Sequence, residues 1–346
     1  MLALASTSVY AIVMTAAAPQ PRVLCVGETL FDGLPNGIFL GGAPLNVACH
    51  LASLGASVQY ASTVGNDRLG IDAVRRLNNR GVDTALVSTT DAAETGFVTA
   101  NIDASGDASY EFVTPAAWDY LEPSAELEAA ASAADAVVYG TLASRDASTR
   151  DAVRAAAAAA RRRVVDINLR PPFIDDAIVA STARTADVLK LNDDELAPVA
   201  AALTRAAPSA AASAAAVAAD AASAAPDDAA AVADAAAALG EATGATTVIV
   251  TRGENGAVVS SGGSAWACGG FVAPAKADTV GAGDSFLAAF LVELLRGAAP
   301  DAALEAACRL GAFVAGRPGA TPEHEVATIA SLSPCAWGVD ECVLEL

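Results

Sequence analysis

The sequence predicts an α/β protein with a mostly parallel central sheet, helices on both of its faces, and a small β-sheet projecting from one edge. Three observations predict it. Short apolar runs alternate with helix-patterned segments along most of the chain. One strand–turn–strand unit interrupts that alternation. Unusual polar residues collect just after the apolar runs, at the strand ends where open parallel sheets bind ligands.

The elements follow in order. Residues 22–27 form a continuous apolar run closed by Gly27, which reads as a strand buried on both faces. Residues 43–54 follow as a helix. Pro44 suits its first turn, Val47, Leu51 and Leu54 share a stripe, and Gly55 ends it. The alternation continues with a strand over 58–64, a helix over 70–79, a strand over 134–140 and a helix over 144–160. Then come a strand over 164–167, a helix over 175–186, and strands over 188–191 and 246–251. Residues 96–102 and 108–113 flank the turn at 104–107 and make the hairpin. Residues 33–40 add a strand to it, and the projecting sheet reads as a lid over 33–40 and 95–114. Residues 200–238 are alanine-rich, broken by Pro208 and Pro226, and read as a surface-packed helical insertion or a loop.

Composition removes several function classes. The 346 residues carry 20 Lys plus Arg against 40 Asp plus Glu, a net charge of −20. So acidic a chain repels phosphate backbones and anionic lipid, so neither nucleic acid nor a membrane surface is expected as partner. The six cysteines form no Cys-x-x-Cys pair and there are two histidines, which argues against a zinc site. Scattered thiols in a chain of this size point to a reducing, cytoplasmic compartment. Residues 1–20 lack the basic start of a secretory signal and the arginines of a transit peptide, and read as an extension, with organellar targeting left open. Residues 326–346 read as a terminal tail.

Five strand ends carry polar residues: Glu28 and Asp32; Asn66 and Asp67; Asp166, Asn168 and Arg170; Lys190, Asn192 and Glu195; Thr251, Arg252 and Gly253. Each alone reads as a cap or turn. Five on one edge read as a site. The sharpest motif is Asp278-Thr279-Val280-Gly281-Ala282-Gly283-Asp284-Ser285-Phe286, running into an apolar helix over 286–295 that Gly297 caps. A helix apolar nearly all round is buried, so its N-terminus brings N–H groups and a positive dipole end inside the protein, which suits an anion. Asp284 beside such a site makes sense as a base that takes a proton from an attacking hydroxyl. There is no Gly-x4-Gly-Lys-Ser/Thr sequence, and no Gly-x-Gly-x-x-Gly follows the first strand, which removes the main support for P-loop and dinucleotide readings.

Taken together, these motifs resemble the ribokinase/PfkB family of carbohydrate kinases, most of all its bacterial-type fructokinases. Gly41-Gly42-Ala43-Pro44-Leu45-Asn46-Val47-Ala48 is similar to the N-terminal sugar signature and residues 278–286 to the C-terminal one. Asp166 to Arg170, Leu189 to Glu195 and Arg317 to Pro322 are similar to the motifs between and after them. The resemblance spans about 22–322 and implies a ribokinase-like three-layer α/β/α sandwich, a kinase domain over 21–325. It implies Asp284 as catalytic base, Gly281, Ala282 and Gly283 as an anion hole, and Arg170 as the cation on the transferring charge. Asp32, Gly41, Gly42 and Asn46 would bind the sugar. Lys190, Asn192, Thr251, Arg252, Gly253 and Gly256 would line the ATP side. Glu195 would hold Mg²⁺ through water, and Asp278 with Thr279 would lie in a K⁺ loop.

Residues 33–46 hold no Lys or Arg for a phosphorylated substrate, which favours a neutral sugar, and the resemblance, in which 115–119 and 139–145 share, implies fructose as the acceptor. Ketodeoxygluconate, a nucleoside or another sugar remain as rivals, as does an inactive scaffold. A monomer and a lid-sharing homodimer are equally compatible with the sequence.

Overall fold

The computed structural model describes residues 20–34, 37–102, 108–206, 216–217, 228–273 and 279–335. Its main sheet has nine strands: β1 (Arg22–Val26), β4 (Ser57–Gly65), β5 (Val82–Thr90), β8 (Ala136–Gly140), β9 (Arg163–Asp166), β10 (Val188–Asn192), β11 (Thr247–Thr251), β12 (Ala257–Ser261) and β13 (Ser264–Cys268). Their order is β13-β12-β11-β10-β9-β8-β1-β4-β5. From β5 to β11 the pairings are parallel, and β12 and β13 add antiparallel edges. The chain builds outward from β1 through β4 to β5, then returns to β8 on the other side. The β1/β8 junction is thus the topological switch point, where such sheets open a crevice beyond their strand ends.

Alternation along each strand divides the core. Val23 and Cys25 face one layer, Leu24 and Val26 the other. The first layer holds α1 (Ala43–Ser53), α2 (Arg68–Asn79), α8 (Ala282–Leu295) and α9 (Pro300–Ala315). The second holds α3 (Ala125–Ala133), α4 (Ala147–Ala159), α5 (Asp176–Ala183), α6 (Asp193–Ala206) and α7 (Ala229–Thr243). A short α10 (Val326–Ser331) follows. Among the described residues no helix is long and apolar enough to cross a membrane.

The three-layer α/β/α sandwich is the one expected, with informative differences. The alanine-rich stretch is not a surface insertion at its ends. There Ala200, Ala202 and Leu203 of α6, and Val232, Ala233, Ala235, Ala236 and Leu239 of α7, are buried against the sheet. Alanine at every turn lets these helices lie close, so low complexity here is core packing. Residues 207–215 and 218–227 lie outside the described residues.

The lid is a second sheet of four strands, ordered β3-β2-β6-β7. Its hairpin of β6 (Gly96–Ile102) and β7 (Ala108–Phe112) is the expected one, and its turn lies outside the described residues. Residues 33–40, expected as one strand, are instead parts of two, β2 (Leu30–Leu34) and β3 (Gly37–Gly41), paired antiparallel. The sequence reading also missed β5, β12, β13, α3, α9 and α10. In β5 and α3 a polar, half-exposed pattern hides the periodicity on which strands and helices are read.

Candidate active site

The site begins where β1 ends. Glu28 is buried, and its Oε1 accepts the Ala43 N–H at 3.0 Å, so a strand-end carboxylate caps helix α1 from outside. Gly42 precedes that helix at φ 116°, and a side chain there would strike the Glu28 carbonyl. Only glycine fits this approach. One turn into α1 stands Asn46. Its Nδ2 donates to Asp284 Oδ2 at 2.8 Å, while its Oδ1 is buried without a partner. An amide that donates to a carboxylate and keeps an acceptor open is prepared for a ligand hydroxyl.

Asp284 stands in the first turn of α8, whose N-cap is Gly281 at φ 78°. The Ala282 N–H turns back to the Thr279 carbonyl and the Ser285 N–H to the Gly281 carbonyl. The helix therefore begins four residues before the apolar run that announced it, and the N–H groups of Gly283 and Asp284 form its open end. The two glycines differ in role. A side chain at Gly281 would hit the Ala320 carbonyl, so packing alone already requires glycine there. Gly283 faces Lys190, whose Nζ would lie 3.0 Å from a β-carbon there.

Lys190 is buried beneath that open end and paired with Asp166 at 3.0 and 3.1 Å, across adjacent parallel strands in register. Burial alone would lower its pKa, but the charges of Asp166, Glu195 and Asp284 outweigh it and raise it. An anion at the helix end thus has backbone N–H groups on one side and an ammonium on the other.

The acids here are unusually basic. Burial, then the Asp166 charge, pushes Asp284 up to about 6, against the pull of Lys190, Asn46 and Arg170. Burial pushes Glu28 up to about 7 and Asp32, on β2, up to about 6. Arg170 is exposed, donates to its neighbour Leu169's carbonyl, and its charge reaches Glu28, Asp32 and Asp284 alike. Asp32 faces Gly41 across the β2–β3 hairpin, where a side chain at Gly41 would strike its carboxylate.

The expected ATP side is built differently. Both oxygens of Glu195 are engaged, Oε1 by the Leu169 N–H at 2.6 Å and Oε2 by the Asn192 N–H at 2.9 Å. Asn192 Oδ1 in turn accepts the Glu195 N–H, closing a capping box on α6. One N–H on each oxygen leaves the carboxylate lone pairs free for a water or a metal. Thr251 lies beside Asn192 in the sheet, and its hydroxyl is 3.5 Å from the Leu191 carbonyl. Arg252 is buried and donates to the Asn255 carbonyl inside the turn that Gly253 and Gly256 shape. Thr279 is exposed, and Asp278 lies outside the described residues.

At the strand end of Asn66 and Asp67 only the aspartate is a cap. Asp67 accepts the Gly70 and Thr95 N–H groups, and Asn66 donates to Asp91. The histidines are structural as well: His50 lies 2.8 Å from His324 and 2.9 Å from the Ala320 carbonyl. Segments 115–119 and 139–145 meet as a brace, with Arg145 paired to Asp119 and lying 4.6 Å from the Trp118 ring centre. Glu28 is a strand-end residue to which the sequence reading gave no role in the site. Its signal was its place directly after β1.

Fold and cleft define a lidded α/β sandwich of the kind seen in solved sugar kinases. The fructokinase of Xylella fastidiosa, solved with bound ATP, superposes with a TM-score of 0.71 at 24% identity, over 89% of this chain and 97% of that one. The family model described as pfkB family carbohydrate kinase matches residues 36–326, and the chain belongs to that family. Among curated relatives, Fructokinase-2 of Oryza sativa subsp. japonica is 30% identical over 205 residues, covering 53% of this chain and 61% of that protein. Probable fructokinase-5 of Arabidopsis thaliana is 29% identical over 299 residues, covering 80% and 84%. The chain thus spans less than two thirds of the first of these relatives.

Proposed function

We propose that the protein transfers the γ-phosphoryl group of ATP to a hydroxyl of a neutral sugar, with fructose as acceptor. The single observation that carries this reading is the 2.8 Å contact between Asn46 and Asp284, 238 residues apart in sequence, with the buried Asn46 Oδ1 left open. A hydroxyl donating to that oxygen lies beside the Asp284 carboxylate, positioned for proton transfer.

The residues then divide the work. Asp32 and the Gly41–Gly42 turn orient the sugar. Asp284 takes the hydroxyl proton as the new P–O bond forms. The N–H groups of Gly283 and Asp284, the Lys190 ammonium and Arg170 stabilise charge on the transferring group. Mg²⁺ supplies further charge neutralisation when bound with the nucleotide, and Glu195 fits it at one water's remove. The lid of β2, β3, β6 and β7 excludes water that would otherwise take the phosphoryl group. The curated relatives named as fructokinases support a sugar kinase, and the free thiols Cys25, Cys49, Cys268 and Cys308 fit a reducing compartment.

A panel of fructose, glucose, ribose, adenosine and ketodeoxygluconate with MgATP, scored by ADP release, tests this. Fructose is expected to give the highest kcat/KM. A lead for adenosine or ketodeoxygluconate overturns the acceptor, and no ADP release with any of them overturns the kinase.

A further inference from the structure

On the sheet face opposite α1 and α8, helices α4 and α5 do not close over β8 and β9. They leave a cavity of about 270 Å³. The cause is in the sequence: α4 ends in a run of alanines, and the methyl groups of Ala157 and Ala158 do not reach across the gap.

Its lining departs from the rest of the molecule. Three arginines, Arg150, Arg154 and Arg163, line it in a chain of net charge −20. Five basic residues fall within 150–163, with Asp151 the one acid there. Arg163 is held by Asp187 at 2.7 Å, and Arg154 pairs loosely with Asp151 at 3.6 Å. Arg150 donates to a neutral acceptor, the Ser144 carbonyl, at 3.1 Å. Three cations against two carboxylates leave the cavity positive. Hydroxyl-bearing residues share the remaining wall with Val153, Ala157 and Ala158: Tyr139 and Thr185 share a 2.7 Å hydrogen bond, and Thr182 and Ser181 stand beside them.

We propose that this cavity binds a small phosphorylated, hydroxyl-rich metabolite of the sugar monophosphate class, at a site separate from the cleft. Guanidinium groups recognise phosphate, and ranked hydroxyls recognise a polyol. The volume lies just below the ~300 Å³ at which small-molecule pockets begin, which suits a single sugar rather than a nucleotide or a peptide. Tyr139 also lines a smaller cavity of about 10 Å³ beside Glu28 and Asp166.

Glucose 6-phosphate titrated calorimetrically into the full chain tests the site, and no arm depends on turnover or on the acceptor. One binding event is expected. Arg150→Gln with Arg154→Gln weakens it about tenfold or more. So does Ser181→Asp, which places a negative charge at an exposed rim position and decides the matter if the arginine variant does not fold. Asn46→Ala, in the cleft, leaves it unchanged. The absence of binding to the unaltered chain, binding that both rim variants leave intact, or binding lost in Asn46→Ala each overturns the proposal.

Discussion

The proposed acceptor half of the cleft and the proposed nucleotide half share one sheet edge, yet they satisfy their polar groups in different ways. Around Glu28, Asp32, Asn46 and Asp284, carboxylates are held above their ordinary pKa values, and two buried oxygens, Glu28 Oε2 and Asn46 Oδ1, have no partner. Around Asn192, Glu195 and Thr251, burial raises the pKa of Glu195 as well, but both of its oxygens accept backbone N–H groups, and Asn192 and Glu195 close a cap. Unsatisfied buried groups destabilise a fold, and they persist where a ligand completes them. The difference suggests that the acceptor is gripped by preorganised side chains, and the nucleotide by backbone and shape.

The most severe way to break the acceptor half is Asp284→Asn. It keeps the shape and the Asn46 neighbour but removes the base, so kcat is expected to fall by about 10²–10⁴ while ATP still binds. Steady-state rates beside ATP calorimetry check this, and near-normal turnover removes Asp284 from the chemistry. In the unaltered chain the base must be ionised. Because Asp284 is pushed up to about 6, kcat/KM is expected to fall as pH drops through about 6, with the Glu28 and Asp32 titrations overlapping the same limb.

Next in size is Lys190→Met, at the seam between the halves. The ammonium compensates the buried Asp166, and removing it leaves an unpaired charge in the core. The expected loss is about 3–5 kcal/mol in urea unfolding. A smaller loss shows that water reaches Asp166 and that the seam is wetter than its burial indicates.

Glu28→Gln sharpens the comparison, because it relieves the acceptor half without breaking it. The amide oxygen still accepts the Ala43 N–H. Burial raises Glu28 from 4.5 to about 7, so the folded state holds this proton more tightly than the unfolded chain does. The stability that follows is complete below pH 4.5 and is lost as pH rises through 7. The variant lacks this dependence. Its stability relative to the unaltered chain is therefore expected to grow with pH across that window, by on the order of 3 kcal/mol. Thermal melts at pH 5 and pH 8 measure it, and a pH-independent difference rejects the raised carboxylate.

Much of this was legible before the structure. The apolar runs of β1, β8, β10 and β11 announced a parallel sheet because strands buried on both faces carry no polar alternation. Asp284 and the glycine turn stood out because a charged, flexible stretch entering an apolar helix has little other use. What stayed hidden depended on partners distant in sequence. Nothing local shows that Gly281 yields to Ala320, that both oxygens of Glu195 meet backbone N–H groups, or that alanines at 200–206 and 229–238 face the sheet. Glu28 shows both sides of this. Its place after β1 was readable, but its cap on α1 depends on a turn fifteen residues on.

The smallest effect belongs to the nucleotide half, and it is the one that most directly tests the contrast. Thr251 sits at the end of β11 beside Asn192, where the sequence alone would enlist its hydroxyl for ATP. In the structure that hydroxyl is 3.5 Å from the Leu191 carbonyl, at the limit of a hydrogen bond. Valine has the same shape and suits a strand, so Thr251→Val is expected to change stability by less than ~0.5 kcal/mol, as at most sites away from special features. If the nucleotide is held by backbone and shape, the KM for ATP stays within about twofold, far less than the ~1.4 kcal/mol that a tenfold change requires. A tenfold rise would mean that closure of the site turns this side chain onto the nucleotide, and the two halves would then recognise their ligands by the same means.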